Sequence, residues 1–246
     1  MRYLILSDIH GNIDALEAVL ADAAGRYDRI LCCGDLVGYG AEPNAIVDWC
    51  RANVSAVIRG NHDKVASGIE KMEDYNPAAV LSTMWTRKAL TPENAAYLRD
   101  LPKGPLGVDH FSLAHGSPFD EDEYLVTVHD AAHAWESMPT PVMFFGHTHL
   151  QGGFFIRRNS VREIDKVPPG SHEATVVIDD DSRFLINPGS VGQPRDRDPR
   201  AAFAIYSTDD RLVTYYRVHY DIGKAQTKIL NAQLPEPLAL RLAVGC

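Results

Sequence analysis

The first part of the chain alternates short apolar runs with segments of helical periodicity, and no other feature constrains the fold as strongly. Residues 3–6 form an apolar run, after which apolar side chains recur at helical spacing behind Asn12, a plausible N-cap. Residues 30–33 and 54–58 are the next apolar runs, and the segment that opens at Pro43 between them predicts a second helix. This alternation is typical of parallel βαβ units, in which loops at the carboxyl ends of the strands build sites.

The segment from residue 64 to residue 103 has a different character and predicts a small helical insertion. Asn76 and Thr91 each precede a proline, as expected of an N-cap followed by proline at the first helical position. The insertion either covers the site loops or packs on the sheet like any other helix, and the sequence favours neither.

The rest of the chain is richer in strands. Residues 153–217 show little helical periodicity, and residues 221–231 and 238–242 predict two short terminal helices. The expected fold class is therefore α/β (α+β), with βαβ units in the N-terminal half followed by a part of the chain that is mostly β-structure.

Length and charge limit the classes of function. We expect residues 1–246 to form a single domain, because 246 residues bury one substantial core. The formal charge of -9 repels nucleic acid, whereas a local positive centre could still attract a small phosphate ester. No apolar stretch approaches the roughly 20 residues that cross a bilayer, and the N-terminal apolar run is short for a signal peptide. We expect a cytoplasmic protein without a membrane partner.

The four cysteines, Cys32, Cys33, Cys50 and Cys246, show no CxxC pairing. We interpret them as reduced thiols that serve as small apolar side chains, with Cys32 and Cys33 on opposite faces of one strand.

Five loops that directly follow strand-like runs contain side chains able to bind metal. They are Asp8-Ile9-His10-Gly11, Gly34-Asp35, Gly60-Asn61-His62-Asp63, His115-Gly116 and Gly146-His147-Thr148-His149. Carboxylate and imidazole ligands suit Mn, Fe, Zn, Co or Ni, and the absence of cysteine argues against a structural zinc site. The i, i+2 spacing of Asp8 with His10, and of His147 with His149, places each pair on one side if the backbone is extended. The glycines would let the chain turn sharply at the strand ends.

The order of these motifs, D-x-H, GD, GNH[D/E], HG and GHTH, resembles the calcineurin-like metallophosphoesterase superfamily over residues 8–149. The segment Asn187-Pro188-Gly189-Ser190, followed by Val191-Gly192-Gln193-Pro194-Arg195-Asp196, resembles the small bacterial and archaeal members of that superfamily. The resemblance implies a four-layer αββα sandwich and an enzyme that uses two divalent metal ions per chain, of the types named above.

The resemblance also implies a role for each site residue. One metal would be held by Asp8, His10 and His149, the other by Asn61, His115 and His147, and Asp35 would bridge the two. His62 would contact the phosphate or protonate the leaving oxygen; the alternative is that it orients a ligand. Asp63 is expected to orient or cap rather than to bind metal.

The chemistry of that ligand set agrees with phosphate-ester hydrolysis. Two divalent ions against two carboxylates leave the site with a charge of about +2, which attracts phosphate and lowers the pKa of a bridging water. The resulting hydroxide would attack phosphorus in line.

One position departs from the phosphatase branch of the superfamily. The loop after Asp35 has Tyr39 where that branch has a phosphate-binding arginine, so a planar bidentate donor is absent there. Arg195, Arg197 and Arg200 could reach the site from a later loop, and Tyr39 either lines the substrate pocket or packs the turn. The loss of fixed positive charge favours a phosphodiester as substrate.

The alternatives to a phosphodiesterase are a phosphomonoesterase such as a phosphoprotein phosphatase, a dinucleoside polyphosphate hydrolase, and a non-enzymatic scaffold of the same fold. The oligomeric state is left open.

Overall fold

A computed structural model describes residues 1–70, 76–158 and 160–246. The strands in these residues are β1 (Arg2–Leu6), β2 (Arg29–Cys32), β3 (Ala56–Val57), β4 (Leu106–Val108), β5 (Phe111–Leu113), β6 (Val142–Phe144), β7 (Gly152–Arg157), β8 (Ser160–Ile164), β9 (Glu173–Val177), β10 (Ser182–Asn187), β11 (Ala201–Ser207) and β12 (Leu212–Val218). The helices are α1 (Ile13–Ala23), α2 (Pro43–Asn53), α3 (Asn61–Ala66), α4 (Pro77–Ala89), α5 (Pro92–Asp100), α6 (Val128–Ala134), α7 (Ile222–Asn231) and α8 (Glu236–Leu240), and 3₁₀ turns follow α6 and α8 at Trp135–Ser137 and Arg241–Ala243.

The strands form two six-stranded mixed sheets. The first has the order β3-β2-β1-β11-β12-β9 and the second β4-β5-β6-β10-β7-β8. In the first sheet β1, β2 and β3 are parallel, as the alternating pattern predicted, while β11, β12 and β9 continue it with antiparallel pairs. In the second sheet β5, β6 and β10 are parallel. The carboxyl ends of β1, β2, β3, β5 and β6 carry the five loops singled out in the sequence.

Three apolar clusters separate four layers. The cluster between the sheets includes Tyr3, Ile5, Leu31, Phe111, Phe144 and Tyr215. A second cluster packs α1, α2 and α5 on the outer face of the first sheet, and a third packs α6 on the outer face of the second. Because side chains alternate along a strand, Leu4 and Leu6 face the helices while Tyr3 and Ile5 face the other sheet. The predicted αββα sandwich is confirmed.

The predicted helix starts are also confirmed. Asn12, Asn76 and Thr91 each accept a hydrogen bond from the backbone amide three residues on, and proline occupies the first turn of α4 and α5. Part of the predicted insertion, residues 71–75, lies outside the described residues. The third strand is shorter than predicted, and α6, which begins with a capping box of Thr127 and Asp130, was not predicted.

The cysteines are free, and three of the four are buried. Cys32 faces the helices and Cys33 faces the second sheet, so the predicted opposite orientation is correct. Among the described residues, no helix is both long enough and apolar enough to cross a membrane.

Candidate metal centre

The loops at the strand ends bring all seven predicted ligands together in the interior. These are Asp8, His10, Asp35, Asn61, His115, His147 and His149, and each is buried. Candidate donor atoms of Asp8, His10, Asp35 and His149 lie within 4.8 Å of one another, and so do those of Asp35, His115 and His147. Asn61 joins the second group, because its Oδ1 lies 3.2 Å from His115 Nε2. The two groups share Asp35.

The ligand residues converge through a backbone conformation that the sequence did not indicate. The backbone of the Asp8 and His147 loops is not extended, so the condition for placing each pair on one side by its i, i+2 spacing is not met; Asp8, His10, His147 and His149 all have φ between 49° and 65°. Asp35 has the same left-handed conformation, with φ of 56°. Non-glycine residues adopt this region rarely and at some energetic cost, and such residues concentrate at functional sites.

The tautomers of His10 and His149 are fixed by backbone carbonyls. Nδ1 of His10 donates to the Val37 carbonyl at 2.8 Å, and Nδ1 of His149 donates to the Gln193 carbonyl at 2.6 Å. Both neutral rings therefore present the lone pair of Nε2, and these two nitrogens lie only 3.1 Å apart. Two lone pairs cannot hydrogen-bond each other, whereas a single cation can bind both nitrogens.

The other two histidines are fixed in the same way but through different nitrogens. Nδ1 of His115 donates to the Cys33 carbonyl at 2.8 Å, which directs Nε2 toward Asp35 Oδ2, 3.4 Å away. His147 instead donates from Nε2 to the Asp122 carbonyl at 3.0 Å, which leaves Nδ1 bare. Metal-binding histidines commonly have their second nitrogen held in this manner.

The two carboxylates each have one anchored oxygen and one unpartnered oxygen. Oδ1 of Asp8 accepts from the His147 amide at 3.2 Å, and Oδ1 of Asp35 accepts from the His62 amide at 2.9 Å. Oδ2 of both is buried without a hydrogen-bond partner among the described residues. An unpartnered buried carboxylate oxygen is costly unless a cation neutralises it, so the residues present fit divalent metal ions.

Charge within the cluster shifts the pKa values strongly. Burial alone would raise the pKa of Asp35, but His115 and His62 hold it well below its usual range. Burial alone would lower the pKa of His115, but the Asp35 carboxylate, 3.4 Å from Nε2, raises it to about 10. Burial lowers the pKa of His10 and His149 well below the usual value, and that of His147 to about 3. Those three rings are neutral and suited to bind metal near neutral pH.

Asp63 orients the two loops that flank Asp35, as the sequence predicted. Its Oδ1 accepts from the amides of Leu36 and Val37 at 2.9 and 3.1 Å, and its Oδ2 accepts from the Gly60 amide at 3.0 Å. The carboxylate thereby joins the Gly34-Asp35 loop to the start of α3.

Of the four remaining predicted site residues, the structure places three beside the cluster and one away from it. The His62 ring lies against Tyr39, with centroids 4.4 Å apart, and 5.0 Å from His10. The Arg195 guanidinium carbon lies 5.6 Å from the Tyr39 ring centroid. Arg200 is directed elsewhere, since its guanidinium bonds the Asp198 carboxylate and donates to the Ser171 carbonyl at 2.6 Å. The structure therefore brings Tyr39 and Arg195 to the cluster but does not bring Arg200 into contact with it.

Sequence reasoning missed several residues around the cluster. The Tyr124 ring lies 4.0 Å from the His147 ring, and Leu242 of the C-terminal segment lies in one apolar cluster with Tyr39. Both stand in segments without a recognisable motif, so only the folded chain reveals them. The Gln193 carbonyl and the Asp122 carbonyl are backbone groups, whose role leaves no mark on residue identity.

An αββα sandwich with metal-competent donors at its strand ends is the architecture of metallophosphoesterases. Residues 1–211 match the calcineurin-like phosphoesterase superfamily domain, and the chain belongs to this family. An uncharacterized protein of Methanocaldococcus jannaschii is 35% identical over 253 residues, which cover 98% of this chain and 97% of that protein.

Solved structures agree with this assignment. A metallophosphoesterase from Sphaerobacter thermophilus is 38% identical, with a TM-score of 0.86 over 100% of this chain and 99% of that one. A hypothetical protein from Pyrococcus horikoshii OT3 has the same fold, with a TM-score of 0.77 at 19% identity over 100% of this chain and 98% of that one.

Proposed function

We propose that this protein is a two-metal phosphoesterase that hydrolyses small phosphate esters, with a preference for diesters. The observation that carries the proposal is the pair of donor groups that share Asp35, in which bare imidazole nitrogens and unpartnered carboxylate oxygens face one another. Asp8, His10 and His149 would hold one ion, Asn61, His115 and His147 the other, and Asp35 both. When bound, divalent ions supply Lewis-acid activation of water and neutralise charge on the phosphate.

His62 is the proposed proton donor. Burial lowers the pKa of His62 to about 4, so the free enzyme holds a neutral ring that can donate an N–H to a phosphate oxygen. The negative charge of a bound ester raises this pKa, which allows the ring to take up a proton and pass it to the leaving oxygen.

The diester preference rests on the missing arginine at position 39. Tyr39 offers no bidentate donor for a phosphoryl dianion, and a monoanionic diester requires less positive charge beyond the metals. Arg195 favours a second candidate, a phosphomonoesterase or a nucleotide polyphosphate hydrolase, because its guanidinium lies beside the Tyr39 ring and partly replaces the missing charge. A scaffold role is disfavoured because the donor set has no missing member.

Metal depletion and substrate comparison test the proposal together. The protein is treated with chelator, given back Mn, Fe, Zn, Ni or Co singly, and assayed on p-nitrophenyl monoesters and diesters with the same leaving group. We expect activity only with added ion, faster diester hydrolysis, and a loss of about two orders of magnitude or more in Asp35→Asn. Asp48→Asn, an exposed carboxylate on α2, is the matched control.

Two outcomes of this assay contradict specific parts of the proposal. Activity that survives complete metal removal would overturn the mechanism. A strong monoester preference would replace the diester assignment by the second candidate. The cytoplasmic location, the exclusion of nucleic acid as a partner and the single-domain organisation stay predictions.

A further inference from the structure

A network of charged side chains joins two of the loops that supply the candidate metal centre. Arg59 and Lys64 lie on either side of Asn61 in the sequence. Both form ion pairs with Glu121, which belongs to the same loop after β5 as His115. The network therefore brackets one site loop and attaches it to another.

Glu121 is the centre of this network. Its two carboxylate oxygens accept from the Arg59 guanidinium at 2.9 and 3.0 Å, and its Oε1 lies 3.4 Å from Lys64 Nζ. The Glu121 side chain is only 6% exposed. Burial alone would raise the pKa of its carboxyl, but Arg59 and Lys64 lower it. A buried carboxylate that is paired in this way holds together the two segments it joins, because separation would leave an uncompensated charge.

Lys64 extends the network to the chain next to His147. Its ammonium has three N–H groups and faces three carboxylates, those of Asp122 at 2.5 Å, Glu70 at 2.6 Å and Glu121 at 3.4 Å. Burial alone would lower the pKa of Lys64, but Asp122 and Glu70 raise it, so the side chain is charged at neutral pH. Lys64 is thus fixed from three sides, and it attaches Asp122 to α3.

Asp122 connects the network to a donor ring through its backbone. Nε2 of His147 donates to the Asp122 carbonyl at 3.0 Å, and the Tyr124 ring lies 4.0 Å from the His147 ring. The other three imidazoles of the donor groups are instead bonded to backbone carbonyls through Nδ1. Because a carbonyl oxygen only accepts, its position decides that Nε2 of His147 carries the proton and that Nδ1 is left to bind metal.

We propose that Lys64 and Glu121 are positioning residues that select Nδ1 of His147 as a metal donor. Among the described residues, neither side chain forms a hydrogen bond or an ion pair with a donor side chain, so both act through the loop that carries the Asp122 carbonyl. Without their charges this loop would lose its attachment to α3, and either nitrogen of the His147 ring could carry the proton.

The network serves only one of the two donor groups. Asn61, His115 and His147 stand on the loops that it joins, whereas His10 and His149 are bonded by carbonyls of other loops. Loss of the network should therefore weaken the ion held by the first group and leave the other ion unaffected. This consequence rests on the proposed two-metal function, while the choice of nitrogen in His147 does not.

The protonated nitrogen can be identified without metal and without catalysis. Long-range proton–nitrogen correlation spectra of protein with isotope-labelled histidine, kept in excess chelator, show which ring nitrogen carries the proton, and His147→Gln identifies the signals of that ring. We expect the Nε2–H form of His147 to dominate in wild type, and the ratio of Nε2–H to Nδ1–H to fall about fivefold or more in Lys64→Met. Lys228→Met is the matched control, because it removes a lysine that pairs with two carboxylates away from the loop after β5.

Asp122→Ala is a second variant that tests the same contact with less risk to the fold. The Asp122 side chain is 45% exposed, and Lys64 keeps two carboxylate partners without it. We expect the tautomer ratio of His147 to change in the same direction as in Lys64→Met, and a thermal melt shows that each variant is folded. An unchanged ratio in both folded variants, or an equal change in Lys228→Met, overturns the positioning role.

Manganese binding tests the consequence for the donor groups. Manganese chloride is titrated calorimetrically into metal-free wild type, Lys64→Met, Glu121→Gln and Lys228→Met. We expect wild type and Lys228→Met to bind two ions alike. In Lys64→Met and Glu121→Gln the dissociation constant of one ion should rise by about tenfold or more, while the other ion binds as in wild type.

The outcomes separate this proposal from the proposed function. Equal weakening of both ions in Lys64→Met, or unchanged binding of both, overturns the selective role of the network. If wild type binds no second ion, the two-metal function fails, while the tautomer spectra still decide whether Lys64 positions His147.

Discussion

At the residue scale, the candidate site is made by hydrogen bonds that decide which atom of each side chain is left bare. Backbone carbonyls take one nitrogen of each imidazole, and backbone amides take one oxygen of each carboxylate. The remaining nitrogens and oxygens face inward toward one another. The left-handed backbone of Asp8, His10 and Asp35 is the conformational cost of this arrangement.

His62 is predicted to act on the leaving group. We expect His62→Ala to lower kcat for an alkyl ester by about 10² to 10⁴, and to lower it much less for an aryl ester, because an alkoxide needs a proton more than a phenolate does. Steady-state kinetics on both esters, with metal content measured by mass spectrometry, checks this. Equal losses accompanied by lower metal content would instead assign His62 to ligand orientation.

Gly60 is predicted to be irreplaceable for steric reasons. A β-carbon at Gly60 would overlap Oδ1 of Asp35 and lie 2.5 Å from its amide nitrogen, so Gly60→Ala must displace Asp35. We expect metal affinity to fall about tenfold to a hundredfold, measured by competition with a chelating dye. Gly107→Ala is the control, because a β-carbon there meets nothing within 4 Å. Normal metal affinity in Gly60→Ala would show that Asp35 does not hold the ions.

At the element scale, charged side chains attach the helices and loops that surround the site. Arg59, just before α3, and Lys64, in its last turn, form ion pairs with Glu121. Lys64 also pairs with Asp122, whose carbonyl accepts a hydrogen bond from His147. On the other side, Asp14 of α1 pairs with two lysines of α7. These contacts set how the loop after β5 and the C-terminal helices approach the cluster.

The Asp14 pair is predicted to stabilise the protein in a pH-dependent way. Lys224 and Lys228 lie 2.7 Å from the two carboxylate oxygens of Asp14 and hold its pKa below the usual value, although burial opposes them. We expect Asp14→Asn to lower the free energy of unfolding by about 1 kcal/mol at pH 7.

The sign of the pH dependence follows from the lowered pKa. The stabilisation is present above the unfolded pKa of about 4 and is lost as pH falls through the folded-state value. Urea denaturation of wild type, Asp14→Asn and the control Glu17→Gln between pH 7 and pH 3 measures this. A difference between wild type and Asp14→Asn that grows on acidification would contradict the assignment.

At the scale of the whole molecule, the donor cluster joins parts of the chain that are distant in sequence. The first sheet supplies Asp8, Asp35 and Asn61, and the second supplies His115 and the His147 loop. The segment after β10 completes the arrangement, since Ser190 and Gly192 hydrogen-bond the Asp8 carbonyl. A metal ion bound there would connect both sheets, and the unfolded chain would not present this site.

Metal is therefore predicted to stabilise the entire fold. Ion at about 100 times its dissociation constant should add about 2.7 kcal/mol, which raises Tm by about 5 to 10 °C for a chain of this length. Differential scanning calorimetry with chelator and with added Mn or Zn measures the shift. Asp35→Asn should show a much smaller shift, and an equal shift in that variant would place the binding elsewhere.

The local sequence determined much of this protein. The apolar periodicity predicted β1, α1, β2 and α2, because burial of one face imposes a repeat on the residues themselves. Short-range chemistry also predicted the N-caps at Asn76 and Thr91. The donor side chains could be named because their chemical types and their order along the chain stand in the sequence directly.

Tertiary structure alone decided how those donors meet. Which nitrogen of His147 is bare depends on the carbonyl of Asp122, and the approach of the C-terminal segment to the Arg195 loop depends on a backbone contact between segments more than 40 residues apart. Arg200 lies in the same loop as Arg195, and the sequence indicated both equally as substrate-binding residues. In the structure, however, the Arg200 guanidinium contacts the Asp198 carboxylate and the Ser171 carbonyl instead of the cluster. Such contacts are made between backbone groups or between distant segments, so they leave no periodicity and no motif in the sequence. The sequence by itself determined which donor side chains stand at the strand ends. The packing of the two sheets and of the C-terminal segment decided how those side chains are arranged in space.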